Sequence, residues 1–398
     1  MTRVVVTGLG VVSPYGAGVG AFWRGLSSGT CAIRPITLFE TEGFRSRIAG
    51  EVPADVVARL PASRRRSRAD RFALAASGEA VADARLSGTD REATGLIVGA
   101  VGGGMLEVEE WYWTLARAGE ARLSRPTIRS VLPSSHAEVV AHRLGLGGPR
   151  ETVVMACSSG AAAIALAAEA IADGIAPVML AGGVDTLTRI CFMGFNALRL
   201  LDPHPCRPFD RDRQGMSLGE GAAFVVLEAL EHARARRARP YVELVASGMS
   251  TDAFHVTAPE PDAEGATRAM IEVLTRAGLA AADVDYVNAH GTGTPQNDRS
   301  EGLGLAKVFG AGGALVSANK SLMGHSMAAA GAVESVATVL TLEHGLIPPT
   351  AHLDHPDPGI PFDCVPHVAR QAAVRVAMSN SFGFGGQNVS LLLRRWDS

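Results

Sequence analysis

The sequence predicts an α/β fold made of two similar halves. Short β-branched runs bounded by Gly or Pro alternate with alanine-rich helical stretches, the pattern of sheets covered on both faces. Four such units recur in the same order in the second part of the chain, with insertions of different length. The 398 residues are also roughly two to three times the size of an ordinary single domain.

In the first part, Val4–Thr7, Gly95–Val98, Val153–Ala156 and Val178–Ala181 read as buried strands. In the second, Tyr241–Ala246, Val284–Asn288, Ala314–Ser317, Val374–Met378 and Val389–Leu393 do. The stretch SSGAAAIALAAEAIAD after Cys157 is a helix on its alanine content, and Gly174 ends it. A second helix follows His325 and runs to about His344.

The repeats pair VVVTGLGVVSPYG with YVELVASGMSTDA and TGLIVGAVGGG with DYVNAHGTGT. They also pair VVMACSSGAAAIALAAEAIADG with VSANKSLMGHSMAAAGAVESVATVLTLEHG, and VMLAGGVDT with VAMSNSFGFGG. Duplication of one unit would turn matching strand ends of both halves toward a single central site. The halves are expected to meet near residues 235–255, giving units 1–250 and 251–398. Arg234, Arg236, Arg237 and Arg239 at that junction read as a solvated helix end and loop. Arg64–Arg66 with Arg68 and Arg71 reads as a solvated face or, more specifically, as a docking face for an acidic partner.

Composition narrows the function classes. Hydrophobic residues at 47% and charged residues at 19% exclude a disordered tail or linker. A net charge of −3 argues against general nucleic-acid or anionic-membrane binding. Five widely spaced cysteines suit a reducing, cytoplasmic setting and not a disulfide framework. The opening MTRVVVTGLGVVSP reads as a strand and not as a leader peptide. The most apolar stretch, Ala161 to Gly183, is interrupted by Glu169 and Asp173, so no membrane span is expected. Of the 37 basic residues only Lys307 and Lys320 are lysines, which draws attention to any site wanting a compact ammonium.

Cys157 sits where the strand TVVMA stops and the alanine-rich helix begins. The positive end of that helix favours thiolate and is expected to lower the thiol pKa, as at a nucleophile elbow. Position alone leaves two readings open, a nucleophile or a small buried cysteine. Cys31, Cys191, Cys206 and Cys364 lack such a setting and read as packing or loop residues. His290 in VNAHGTGTPQND and His325 in SANKSLMGHSMAAAG each occupy a Gly-rich strand-end turn of the second half. Lys320 lies five residues before His325. His352 and His355 in HLDHPDPG resemble a metal pair, but no neighbouring Cys or carboxylate cluster completes one; a loop is expected and no metal site. SFGFGGQN carries three glycines around Phe384, which lets backbone N–H groups approach a ligand as in an oxyanion hole; a plain glycine turn is the alternative. GLGVVS lacks the third glycine and the acidic residue of a dinucleotide fingerprint.

The blocks ACSSG, NAHGTGTPQND, NKSLMGH with AAAGAVES, and NSFGFGGQN resemble the four signature blocks of the condensing β-ketoacyl-[acyl-carrier-protein] synthases. RPFDRDRQGMSLGEGA and GMSTDAFHVTAP resemble theirs too, so the likeness spans the whole chain. The resemblance implies the thiolase fold, with duplicated halves in a five-layer αβαβα arrangement, and a dimer. It implies that Cys157 accepts the acyl group and that His290 and His325 stabilise the enolate left by decarboxylation of a malonyl thioester. Lys320 would support His325, with Glu334 as its carboxylate partner. The N–H groups of Cys157 and Phe384 would form the oxyanion hole, and the Phe384 ring would gate acyl entry.

The implied reaction needs no cofactor, because substrates ride on the phosphopantetheine of an acyl carrier protein. The implied partners are that carrier and either a second copy or a chain-length-factor-like paralogue. Cys157 separates the chain from non-catalytic chain-length factors; a non-catalytic or regulatory subunit of a ketosynthase heterodimer is the alternative. Cys364 does not match the second catalytic cysteine of degradative thiolases, and the two histidines differ from the His-plus-Asn of initiating synthases. Gln214, Met216 and Ser217 stand where relatives often have Asp, Phe and Val, Gln387 where Thr is common, and Gln296 where Leu or a small residue is. PQNDRSE resembles aromatic-polyketide synthases, so elongation in either polyketide or fatty acid synthesis is expected.

Overall fold

The computed structural model describes residues 2–61, 66–120 and 124–397. Ten strands carry the core: β1 (Val4–Ser13), β2 (Thr94–Gly99), β3 (Arg150–Val153), β4 (Val178–Asp185), β5 (Gly221–Ala229), β6 (Val242–Thr251), β7 (Tyr286–Asn288), β8 (Leu315–Ser317), β9 (Val376–Gly383) and β10 (Gln387–Arg395). They lie in the order β3-β2-β4-β5-β1-β6-β10-β9-β7-β8. Reading outward from the β1–β6 junction, the two sets of five have one topology. β5 and β10 pair antiparallel on both sides, and β2 with β3, like β7 with β8, pair parallel. The halves join where Val4 and Val6 of β1 face Leu244 and Val242 of β6.

Apolar segregation sets the layers. The helices α1 (Arg68–Asp83), α2 (Met105–Ala118), α3 (Ser134–Leu144), α4 (Ser159–Ala172), α5 (Arg189–Ala197), α6 (Glu264–Ala277), α7 (Pro295–Phe309) and α8 (Ala330–His344) cover the sheets. Phe72 of α1 and Val140 of α3 pack on Leu96, Leu180 and Phe224, the outer face of the first set. Met270 and Val273 of α6 and Leu305 of α7 pack on Val287, Met378 and Leu392, the outer face of the second. Between the sets, Ile164 of α4 and Val336 of α8 share one core with Leu9, Val225, Ala377 and Leu391. The layers are therefore α, β, α, β, α, as expected. α8, buried along nearly its whole length, and α4 approach through small residues: a Cβ added at Gly331 would lie 2.7 Å from the Ala161 Cβ.

The structure moves several elements. The repeat has a fifth unit that sequence reading passed over: β5, GAAFVVLEA, buried along nearly its whole length, matches β10. The strand expected over Val153–Ala156 is Arg150–Val153, and Ala156–Ser158 forms a 3₁₀ turn. The expected division at 250/251 falls at the end of β6, the strand that opens the second set. Arg236 is not solvated; its guanidinium donates to Glu228 and, at 2.7 Å, to the Ala84 carbonyl. Arg64 and Arg65 lie outside the described residues. Arg68 is buried in an ion pair with Glu220, with Nε to Oε2 at 2.9 Å, so it belongs to no solvated face. Among the described residues no helix is long and apolar enough to cross a membrane.

Candidate active site

Equivalent junctions in the two halves deliver the reactive groups. The turn Ala156–Ser158 leads into α4 and the turn Met327–Ala329 leads into α8. Each contains one non-glycine residue in the left-handed region, Ala156 at φ 45° and Met327 at φ 49°. Such strain persists only where the surroundings enforce it. Here Ser159 Oγ accepts the Met155 N–H at 2.8 Å and donates to the Ala156 carbonyl at 2.7 Å. Ser158 Oγ donates to the carbonyls of Met155 and Gln387, tying the turn to the far hairpin. These bonds aim Cys157 at the ends of β9 and β10. Gly383 permits the contact, because a Cβ there would come within 3.0 Å of the Met155 carbonyl.

Cys157, His290, His325 and Phe384 line one cavity of about 120 Å³. The imidazole rings of His290 and His325 meet edge to face, with centroids 5.4 Å apart at 88°. The Phe384 backbone N–H hydrogen-bonds toward the Cys157 sulfur. The Phe384 ring is half-buried and packs on Phe195 at 5.6 Å.

Lys320 is expected beside His325, but the structure sets it against His290. Its ammonium donates to the His290 carbonyl at 2.7 Å, to His290 Nδ1 at 3.2 Å and to Glu334 Oε1 at 2.5 Å. These acceptors take all the protons an ammonium has. An ammonium only donates, so Nδ1 of His290 accepts and the neutral ring carries its proton on Nε2. His325 Nδ1 accepts the Met327 N–H at 3.2 Å, which fixes the same tautomer. Burial first, and then the charge of Lys320, hold both imidazoles well below the usual histidine range. Each is therefore a neutral ring with one N–H to give. Burial pushes Glu334 up to about 7 against the pull of Lys320.

The thiol departs from expectation. Burial pushes Cys157 up to about 11, while Lys320 and the Phe384 N–H pull the other way. The lowering expected from the helix end is outweighed by the loss of water around the sulfur. The resting group is a thiol.

Two buried carboxylates that sequence reading missed hold the site. Glu301 accepts the N–H of His290 at 2.8 Å and of Gly291 at 2.7 Å, and burial pushes it up to about 7. Asp185, at the end of β4, accepts the N–H groups of Gly102 and Ala328 and so ties the first half to the turn after His325. The signal that points to Glu301 is a carboxylate in PQNDRSE, the helical start that follows the Gly-rich turn HGTGT. Besides Asp354 and Asp357 within HLDHPDPG, carboxylates from a distant loop reach His355. Asp212 Oδ2 lies 3.0 Å from His355 Nδ1, and Asp210 Oδ2 accepts the His355 N–H. Asp210 also accepts the Asp212 N–H, so its carboxylate clamps two loops together. Among the five departures, Met216 and Gln296 line the cavity, and Gln214 accepts from Arg45 at 3.0 Å. Ser217 Oγ accepts the Cys206 N–H at 3.1 Å.

Residues 1–233 match the family model for the N-terminal domain of β-ketoacyl synthases, and residues 241–354 match that for the C-terminal domain. The chain belongs to the β-ketoacyl synthase family. It is an enzyme of the β-ketoacyl-[acyl-carrier-protein] synthase type with the thiolase fold. A 3-oxoacyl-[acyl-carrier-protein] synthase 2 of Rhizobium meliloti strain 1021 is 42% identical, covering 100% of this chain and 99% of that one. The ishigamide ketosynthase/chain length factor superposes over 100% of both chains at TM-score 0.95 and 37% identity. A type II polyketide ketosynthase, in complex with its acyl-carrier protein and bound to the hexaketide, superposes over 100% of both chains at TM-score 0.92 and 30% identity.

Proposed function

We propose that this synthase catalyses decarboxylative Claisen condensation of an acyl group carried on Cys157 with malonyl-acyl-carrier protein. The products are β-ketoacyl-acyl-carrier protein and CO₂. One observation carries the reading: a thiol and two neutral imidazoles of fixed tautomer share one small cavity.

The thiol attacks the acyl thioester, its proton leaves with the carrier thiol, and the N–H groups of Cys157 and Phe384 hold the developing oxyanion. Malonyl thioester then binds with its carbonyl oxygen at the Nε2–H groups of His290 and His325. Breaking the carbon–carboxylate bond releases CO₂ and leaves an enolate, whose oxygen these two donors stabilise more than they do the ground state. The enolate carbon attacks the acyl-enzyme, and the Cys157 sulfur leaves. A proton is consumed overall and ends on that sulfur, which the raised thiol pKa favours. Imidazolium rings would offer a charge as well, but at a high cost of burial; neutral donors suit this site.

The carrier's phosphopantetheine would bring both substrates, and no cofactor is needed. A dimer, with a second copy or a chain-length-factor-like paralogue, fits the exposed apolar residues Tyr112 and Trp113 of α2 and Ile190 and Met193 of α5. A cytoplasmic location fits this chemistry. The test is intact-mass analysis after incubation with acyl-carrier-protein thioester. An acyl adduct on Cys157, absent in Cys157→Ala, is expected together with loss of condensation. Condensation that survives Cys157→Ala would favour the non-catalytic subunit instead.

A further inference from the structure

We propose that Gln296, in the first turn of α7, is a substrate-binding residue: its carboxamide hydrogen-bonds an amide of the phosphopantetheine arm that brings the malonyl thioester into the cavity. The proposal rests on the carrier reading of the function and names a side chain that holds the arm.

Burial distinguishes the floor of the cavity from its mouth. Cys157, His290 and His325 are buried, Thr257, Pro259 and Asn297 are half-buried, and among the described lining residues Gln296 alone is exposed. At about 120 Å³ the cavity is well below the roughly 300–1,000 Å³ that a drug-sized ligand fills. It therefore takes the reacting end of a thioester and leaves the arm at the mouth, beside Gln296. The other polar side chains of the lining are engaged with the protein itself. The hydroxyls of Thr292 and Thr294 bond each other at 2.9 Å, and each accepts a backbone N–H at 3.3 Å, from Thr294 and Asn297 respectively. The Asn297 side chain donates to Asp298 at 3.1 Å and to Glu301 at 3.4 Å. Asp252 accepts from Asn388 at 2.6 Å and from the Glu260 N–H at 3.1 Å. Gln296 makes no hydrogen bond to any described residue. Its base is nevertheless fixed: Thr294 caps α7, Pro295 opens it, and the buried Asp298 accepts the N–H groups of Gly293 and Phe209. A carboxamide both donates and accepts, so it can meet either the C=O or the N–H that an amide of the arm presents.

The experiment follows condensation by enzyme preloaded with an acyl group on Cys157. The second substrate is malonyl-pantetheine, or one of two analogues in which one or the other amide is replaced by a trans double bond of the same shape. Wild type is compared with Gln296→Leu, which keeps much of the bulk and drops both polar atoms. Loss of one neutral hydrogen bond should raise KM for malonyl-pantetheine about 2- to 12-fold in Gln296→Leu, with kcat within about twofold of wild type. Wild type should suffer the same loss with one of the two analogues, and Gln296→Leu should lose nothing further with it. An unchanged KM in Gln296→Leu would overturn the assignment. So would a defect in Gln296→Leu that persists in full with both analogues, since that marks a structural change at the start of α7. A wild type that takes up no acyl group on Cys157 would overturn the condensing reading itself, and the assignment with it.

Discussion

Replacing Lys320 with Met deletes the ammonium while keeping most of the buried bulk. In the wild type that ammonium fixes the His290 tautomer, holds the carbonyl of the same residue and neutralises Glu334. Removing one donor outright from an oxyanion site lowers turnover by roughly 10²–10³. Here the His290 donor remains but loses its lock, so decarboxylation should fall about 30- to 300-fold, on the order of 2–3.5 kcal/mol. Acylation of Cys157 relies on backbone N–H groups and should fall less than about tenfold. Breaking a buried ion pair can destabilise by about 3–5 kcal/mol, but Glu334, already up to about 7, takes up a proton instead. Its folded pKa lies above the unfolded value, so the stability it contributes is full below about pH 4 and is lost as pH rises toward 7 and beyond. The variant should therefore melt higher at pH 6 than at pH 8. The assay pairs CO₂ release from malonyl-carrier protein with rapid-quench mass analysis of the acyl-enzyme. An acylation defect equal to or larger than the decarboxylation defect would refute the reasoning.

Two further outcomes follow from the geometry. Alkylation of Cys157 by iodoacetamide should climb about tenfold per pH unit up to roughly pH 10, since burial pushes the thiol up to about 11; a plateau below pH 8 would show a thiolate in the resting enzyme. Gly331→Ala gains up to about 1 kcal/mol of helix propensity. The new Cβ, however, would stand 2.8 Å from the Ala161 backbone nitrogen, so a net loss of about 1–3 kcal/mol in urea unfolding is expected.

Much of this protein is written in local pattern. Period and turn glycines place Cys157 at a strand-to-helix junction and set His290 and His325 in matching turns, because helix starts and strand ends depend on neighbouring residues. Pattern also revealed four of the five repeated units. It passed over β5, whose run GAAFVVLEA carries no turn residue inside it and is recognised through its pairing with β1 and β4. Tertiary structure alone decided which ring Lys320 touches, since His325 is five residues away along the chain and His290 thirty, and folding brings the distant one to the ammonium. It also recruited Glu301 and Asp185, placed Arg68 in the interior, and reversed the direction in which Cys157 is shifted. The reason is common to all of these: ionisation and pairing depend on how much water distant segments exclude, and burial is assembled from residues far apart in sequence.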